Sequence, residues 1–371
     1  MKIAIVCPYN LSMPGGVQQH VFEQANELKK RGHIVKIVTP KPRKELVFDD
    51  TDVVFLGSSR RIKTPNHTSV DVSISVTTEA IEELLDEQQF DIVHMHEPLV
   101  PILARQMLPR IKVPVVGTFH AALPETVVAK SIAGSISPFV KSILKHLSAV
   151  TAVSEAATTY ISDYITSDEV NFIPNGVDLK HYNKPAESNK RKNILYVGRL
   201  EKRKGVKYLI EAYAEFAKYD TQHRLLIAGN GPDKDKLETL AINLGVIDRI
   251  DFLGYVSEEQ KIKLLQDSSV FVSPALYGES FGIVLIEAMA TNTPVIGGNN
   301  IGYASVLKGL GSVGLVNPLD SDIFARRMNL LINEPELREI WQKWAQKEVK
   351  QYSYKSIVDS YEKIYKNLVK N

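Results

Sequence analysis

The feature that most constrains this chain is an alternation of short β-branched runs with helical stretches, which fills one half, breaks, and starts again. Residues 2–7 form an apolar run closed by Pro8, the pattern of a parallel strand buried on both faces. From 17 to 31, Val17, Val21, Ala25 and Leu28 recur at helical spacing, and Gly32 supplies the stop. A strand at 34–39 completes a βαβ unit. Further strands are predicted at 53–56, 92–94, 115–119, 149–153 and 170–173, with a helix at 78–87. The stretch 183–193 is polar and charged, has one proline and no apolar periodicity, and reads as a linker. Beyond it, strands at 194–197, 224–228, 250–252, 270–273 and 294–296 alternate with helices at 206–217, 235–244, 258–266 and 282–290. Helices at 321–332, 336–349 and 356–369 close the chain. The fold class is therefore α/β: two successive doubly wound parallel sheets with helices on both faces. Ligands of such sheets gather at the carboxyl ends of the strands, so chemistry is sought in the loops that follow them.

Composition narrows the function classes. The 45 basic and 43 acidic side chains leave a net charge of +2, without the basic excess of a nucleic-acid binder. A single cysteine, Cys7, excludes a disulfide framework and a cysteine-based zinc site, and fits a reducing compartment. No run approaches the roughly 18 apolar residues of a membrane span. The opening MKIAIVCPYN carries one lysine and breaks at Pro8, unlike a signal peptide, so a cytoplasmic protein is expected.

Three loops could carry chemistry. The first holds Pro14, Gly15 and Gly16 before the helix at 17; adjacent glycines admit a ligand to the backbone, and helix-start N–H groups attract anions. It lacks the spacing of a dinucleotide fingerprint, and alone it reads as a tight turn. The second runs from Gly198-Arg199 to Lys202-Arg203-Lys204-Gly205, four cations within six residues after a strand, a setting that suits a diphosphate. The third is the most informative. In Tyr277-Gly-Glu279-Ser-Phe-Gly282-Ile-Val-Leu-Ile-Glu287, Glu279 precedes a helix and Glu287 lies on its apolar face, where a carboxylate is costly unless paired or ligand-bound. Eight residues, if helical, span about 12 Å, the reach of an extended sugar-nucleotide. Two weaker patterns point elsewhere. His94-Met-His96-Glu97 puts two imidazoles on one strand face, but no further His, Asp or Glu group completes a metal shell, so no metal is expected. Asp50-Thr-Asp52 reads as a turn.

Together these segments resemble the retaining glycosyltransferases of family 4, which have the GT-B fold of two Rossmann-like domains facing a cleft. The signature is Glu279-x7-Glu287, supported by Gly198-Arg199, Lys204-Gly205, Pro174-Asn175-Gly176-Val177-Asp178 and Gly15-Gly16. Closer still, the chain resembles the phosphatidylinositol α-mannosyltransferase group, through Val6-Cys-Pro-Tyr9, Pro14-Gly-Gly-Val-Gln18, His96-Glu97-Pro98, Thr118-Phe-His120 and Gly278-Glu-Ser-Phe-Gly-Ile-Val-Leu285. The resemblance implies an acceptor-binding domain at 1–188, a nucleotide-sugar domain at 189–352, and a last helix at 353–371 packed back on the first domain. It implies that Arg199 and Lys204 hold the donor diphosphate with Gly16 against it. Glu279 then contacts the transferred sugar, Glu287 the ribose, and His120 the sugar's face. Val256, Phe281, Gly282 and Ile283 join the nucleotide site, Tyr9 and Gln18 the acceptor site, and neither metal nor cofactor is required.

The implied reaction moves a sugar, mannose favoured, from a nucleotide diphosphate, GDP favoured, to a lipid or lipid-linked acceptor at the cytoplasmic membrane face. UDP-sugar with a soluble or polysaccharide acceptor, and a nucleotide-sugar epimerase of the same fold, are the competing readings. The acceptor side departs from the group. Leu99, Ala121 and Glu125 stand where the mannosyltransferases have an asparagine, a threonine and a lysine, which argues against inositol phosphate. Ser257 stands where they have a guanine-reading aspartate. Arg60, Arg61, Lys63 and His67, and an apolar stripe of Phe139, Val140, Ile143, Leu144 and Leu147 opposite Lys141 and Lys145, offer a contact with an anionic membrane. A helix covering the first sheet is the competing account of that stripe.

Overall fold

The computed structural model describes residues 1–13, 15–42, 52–63, 69–122, 136–182 and 192–370. The chain divides into two compact units, Met1–Gly176 with Tyr354–Asn371, and Val177–Ser353. The linker expected at 183–193 falls almost wholly outside the described residues.

The first unit is built on an eight-stranded sheet of order β4-β3-β2-β1-β5-β6-β7-β8. Its central strands are β1 (Lys2–Val6), β2 (Ile34–Lys41), β5 (Ile92–His96) and β6 (Val115–Phe119), flanked by β7 (Ala149–Ala152) and β8 (Val170–Phe172). All pair in parallel except β3 (Val53–Lys63) and β4 (Ser69–Ser75), which pair antiparallel at one edge. This corrects the expectation of a wholly parallel sheet. The run SVDVSIS has period-2 alternation, the pattern of a strand with one covered face, yet Val72 is buried and Ile74, two residues on, is exposed, where the register against β3 shifts. Asp52, at the start of β3, is tied to Lys29 and Lys36 at 2.8 and 2.9 Å; Asp50 lies outside the described residues.

Helix Gly16–Lys30 follows β1, buries Val21, Ala25 and Leu28 against the sheet, and packs beside the last helix, Tyr354–Lys370. That last helix completes the core of the first unit: Ile357, Val358, Tyr361 and Tyr365 are no more than 1% exposed and share a cluster with Ile3, Ile5 and Ile37. The helix Ser137–Leu144 turns Val140 and Ile143 into the core, and Phe139 and Leu147 pack on the cluster under β5 and β6. The covering account of that stripe is the one its packing follows, with Phe139, Leu144 and Leu147 partly buried.

The second unit carries a six-stranded, wholly parallel sheet of order β11-β10-β9-β12-β13-β14. Its strands are β9 (Asn193–Val197), β10 (Arg224–Ala228), β11 (Ile250–Gly254), β12 (Ser268–Ser273), β13 (Val295–Gly298) and β14 (Leu315–Val316). Helices Val206–Phe216, Glu258–Gln266, Ile283–Ala290 and Ser321–Asn333 lie close to their expected spans. The helix Ile301–Val306 and the two-residue β14 carry too little apolar periodicity to be read from sequence. Order reverses between β9 and β12, and the loops after those two strands hold the second and third candidate segments. This is the switch point at which open parallel sheets bind ligands.

Candidate active site

In the second unit, Lys202–Lys204 form a single tight turn ended by Gly205, and the helix proper starts at Val206. Gly205 has φ +70°, and a Cβ there would stand 2.1 Å from the Pro274 carbonyl oxygen, so the two candidate loops touch only because this residue is glycine. The contact continues in side chains. Arg203 Nη1 donates to Glu279 Oε1 at 2.6 Å and to the Gly278 carbonyl at 3.2 Å, and its backbone oxygen accepts from Leu276 N–H. Lys204 Nζ donates to the same Glu279 oxygen at 2.7 Å. Glu201 takes the other side of Arg203, at 2.7 Å from Nε. Burial opposes the charge on Arg203, but Glu279 and Glu201 outweigh it and hold the guanidinium above its ordinary value.

The four-cation loop is therefore not a bare electropositive cup, as the sequence suggests. Two of its cations are already paired with carboxylates. Arg199, 47% exposed, lies 3.7 Å from Glu201, and Lys202 is exposed.

Gly282 has φ +100° and caps helix Ile283–Ala290. The stretch from Glu279 to Gly282 is consequently not helical, and the 12 Å helical spacing inferred for Glu279 and Glu287 does not apply. Glu287, with its side chain 4% exposed, bonds Lys261 Nζ at 2.8 Å. Lys261 also meets Glu258 at 2.9 Å, and Tyr182 donates its hydroxyl to Glu258. Burial works against the lysine's charge, yet Glu287 and Glu258 raise its value above the ordinary one. The sequence left the partner of Glu287 open; it is Lys261, 26 residues upstream, on helix Glu258–Gln266. Phe281 is only 3% exposed and meets Tyr352 edge-on, so its side chain belongs to the core rather than to a nucleotide site. Val256 and Ile283 are partly exposed.

In the first unit, Gly16 opens helix Gly16–Lys30 at the surface, Gln18 is partly exposed on its first turn, and Tyr9 pairs across with Val72. Glu97, at the end of β5 with φ +49°, accepts the backbone N–H groups of His120 and Ala121 at 2.5 and 2.6 Å. Burial pushes its carboxyl up to about 7, opposed by those two bonds. Leu99 packs against the core, Ala121 is tied by its backbone, and Glu125 lies outside the described residues.

His120 does not stand alone. It joins His20, His94 and His96 in a buried group that the sequence reading missed. Only His94 and His96, spaced for one strand face, were legible, and their rings do stack with centroids 4.3 Å apart. Their nitrogens are engaged by Gln24, Thr118, Tyr365 and His120.

His20 differs: both its ring nitrogens lack a hydrogen-bond partner among the described residues, and burial lowers it to about 4. Between 6.5 and about 4 the unfolded chain binds a proton that the folded chain refuses, so stability falls as pH drops through that window. The cost at pH 5 is about 2 kcal/mol. His20→Leu should therefore raise the melting temperature more at pH 5 than at pH 8, measured by thermal denaturation. An equal rise at both would show that His20 does not titrate this way.

Comparison with known proteins agrees with this geometry. The model of glycosyltransferase family 4 matches residues 14–181, and that of glycosyl transferases group 1 matches 178–348. A phosphatidyl-myo-inositol mannosyltransferase of Mycobacterium tuberculosis is 30% identical over 99% of this chain and 97% of its own. The chain belongs to glycosyltransferase family 4. An alpha-monoglucosyldiacylglycerol synthase of Streptococcus pneumoniae is 24% identical over 91% of this chain and 80% of its own. Among solved structures, a glycosyltransferase from Rickettsia africae superposes with a TM-score of 0.79 at 23% identity, covering 100% of this chain and 99% of that one. The fold is GT-B, and the enzyme is a glycosyltransferase.

Proposed function

We propose that this family 4 enzyme is a metal-independent, retaining hexosyltransferase that moves mannose from GDP-mannose to a lipid or lipid-linked acceptor at the cytoplasmic membrane face. The observation that carries the reading is Lys204 and Arg203 held on Glu279 beside the half-exposed Arg199, at the switch point of the second sheet. As the sugar leaves through an oxocarbenium-like state, negative charge grows on the departing phosphate. Cations whose positions are set beforehand stabilise that charge without reorganisation. The acceptor hydroxyl attacks on the same face, and the leaving phosphate takes its proton. In this reading Glu279, pinned by two cations, contacts the sugar, and Glu287, held by Lys261, contacts the ribose.

The mannosyltransferase relative supports the sugar and its lipid acceptor. The glucosyldiacylglycerol synthase relative supports an uncharged lipid instead of phosphatidylinositol, in line with Leu99, Ala121 and Glu125. Among the described residues no helix is long and apolar enough to cross a membrane, so attachment would be peripheral. Exposed Arg60 and Ile62 on the edge hairpin would serve it; Arg61 is paired with Asp71, and His67 and the side chain of Lys63 lie outside the described residues.

The test is radiolabelled transfer from GDP-mannose and from UDP-sugars into liposomes of defined composition. Diacylglycerol or a glycolipid should accept at least tenfold better than phosphatidylinositol, and Glu125→Lys should raise transfer to phosphatidylinositol. Efficient transfer to phosphatidylinositol by the unmodified enzyme sinks the acceptor assignment. Turnover of a nucleotide-sugar without any acceptor would favour an epimerase.

A further inference from the structure

We propose that Gln24 sets the protonation pattern of His120 through a buried hydrogen-bond chain, holding it as the Nε2–H tautomer with Nδ1 as the only lone pair. The direction of the chain follows from donors and acceptors alone. It starts at the Gly117 carbonyl, which can only accept, and which takes Thr151 Oγ1–H at 3.3 Å. Thr151 Oγ1 can then accept from Thr118, which leaves the Thr118 oxygen to accept from His94 Nε2–H at 2.6 Å. A neutral His94 protonated on Nε2 has an acceptor at Nδ1, and it receives Tyr365 O–H at 2.5 Å and a Gln24 amide N–H at 2.9 Å. The same amide nitrogen lies 2.9 Å from the Tyr365 oxygen.

With its amide nitrogen on that side, Gln24 presents Oε1 to His96 Nε2 at 3.0 Å, and an oxygen there obliges His96 to donate. His96 Nδ1 is then an acceptor, so the hydrogen in its 2.8 Å contact with His120 Nε2 belongs to His120. Asn175 also bonds His120 through its side chain, which leaves the direction of the His96–His120 contact to be set from the Gln24 side. Burial holds His94, His96 and His120 below their ordinary values, so each carries one ring proton, as the chain requires.

The consequence is that neither His120 nitrogen is available as a proton donor to a sugar, and Gln24 acts as a positioning residue two hydrogen bonds away. This rests on the proposed function only in assigning His120 to the sugar's face. The tautomer can be read without any turnover.

Long-range proton–nitrogen correlation spectra of ring-15N-histidine protein decide it, with His120→Asn to assign the signals. We expect a protonated Nε2 and a bare Nδ1 at His120 in the unmodified enzyme; a protonated Nδ1 there overturns the proposal without recourse to any variant. Gln24→Met removes the acceptor facing His96, and should give mixed tautomers at His96 and His120. Turnover should fall roughly tenfold, with the donor KM within about twofold of normal. Gln24→Glu keeps that acceptor, so it should retain the His120 tautomer and restore turnover while moving the His94 proton to Nδ1. A Gln24→Met protein with His120 unchanged would overturn the role of Gln24. Spectra as expected in a protein inactive with every donor would sustain the chain and reject the function.

Discussion

Lys204→Ala should lower sugar transfer by roughly a hundredfold, the loss typical of one charge-assisted donor aimed at a developing anion. Its effect on binding should depend on the length of the phosphate chain: a nucleoside diphosphate weakens by at least tenfold, a nucleoside monophosphate by much less. The fold itself should tolerate the change, because Glu279 keeps its bond from Arg203 at 2.6 Å when the lysine is gone. Isothermal titration with both nucleotides, alongside a melting curve, checks all three statements. Equal weakening of the two nucleotides would show that the lysine does not reach the distal phosphate.

Lys261→Met should instead damage the second unit as a folded body. The lysine's side chain is 13% exposed and that of Glu287 4%, so the substitution leaves a carboxylate buried without its counter-ion. Breaking a buried pair on one side costs about 3–5 kcal/mol, and a unit of this size loses about 2–4 °C per kcal/mol, so a fall on the order of ten degrees is expected. Lys261→Met combined with Glu287→Gln removes the stranded charge and should recover most of the melting temperature. Transfer should stay low in that double variant if the carboxylate also holds the ribose. Full recovery of activity would confine Glu287 to the stability of the fold.

The fold was largely legible because parallel strands buried on both faces are continuous β-branched runs, such as 2–7 and 270–273, and their period differs from that of the intervening helices. The edge hairpin was missed because Val53–Lys63 mixes serine, arginine and apolar residues in a way that only pairing with Ser69–Ser75 explains. At the site, sequence marked Arg199, Lys204, Glu279 and Glu287 but not their partners. Lys261 lies on another helix, and Arg203 looked like one more cation in a charged turn until its bonds to Glu201 and Glu279 were seen. The histidine group was harder still. His20, His94 and His120 are scattered in sequence, and Tyr361 and Tyr365 reach them from near the other end of the chain. Only the folded first unit, with its helices packed on the sheet, brings such residues together.

The return of Tyr354–Lys370 to the first unit also dictates an order of events at the ribosome. The first 176 residues emerge without the helix that supplies Ile357, Val358, Tyr361 and Tyr365 to their core, and all of Val177–Ser353 must be made first. At about 5–20 residues per second, that interval is on the order of ten to thirty seconds. Throughout it the nascent chain presents an uncovered apolar face and an open histidine cluster, while the later unit is free to fold as soon as it clears the tunnel. A chaperone engaging the nascent chain should thus be found on the first unit, whose core is completed last.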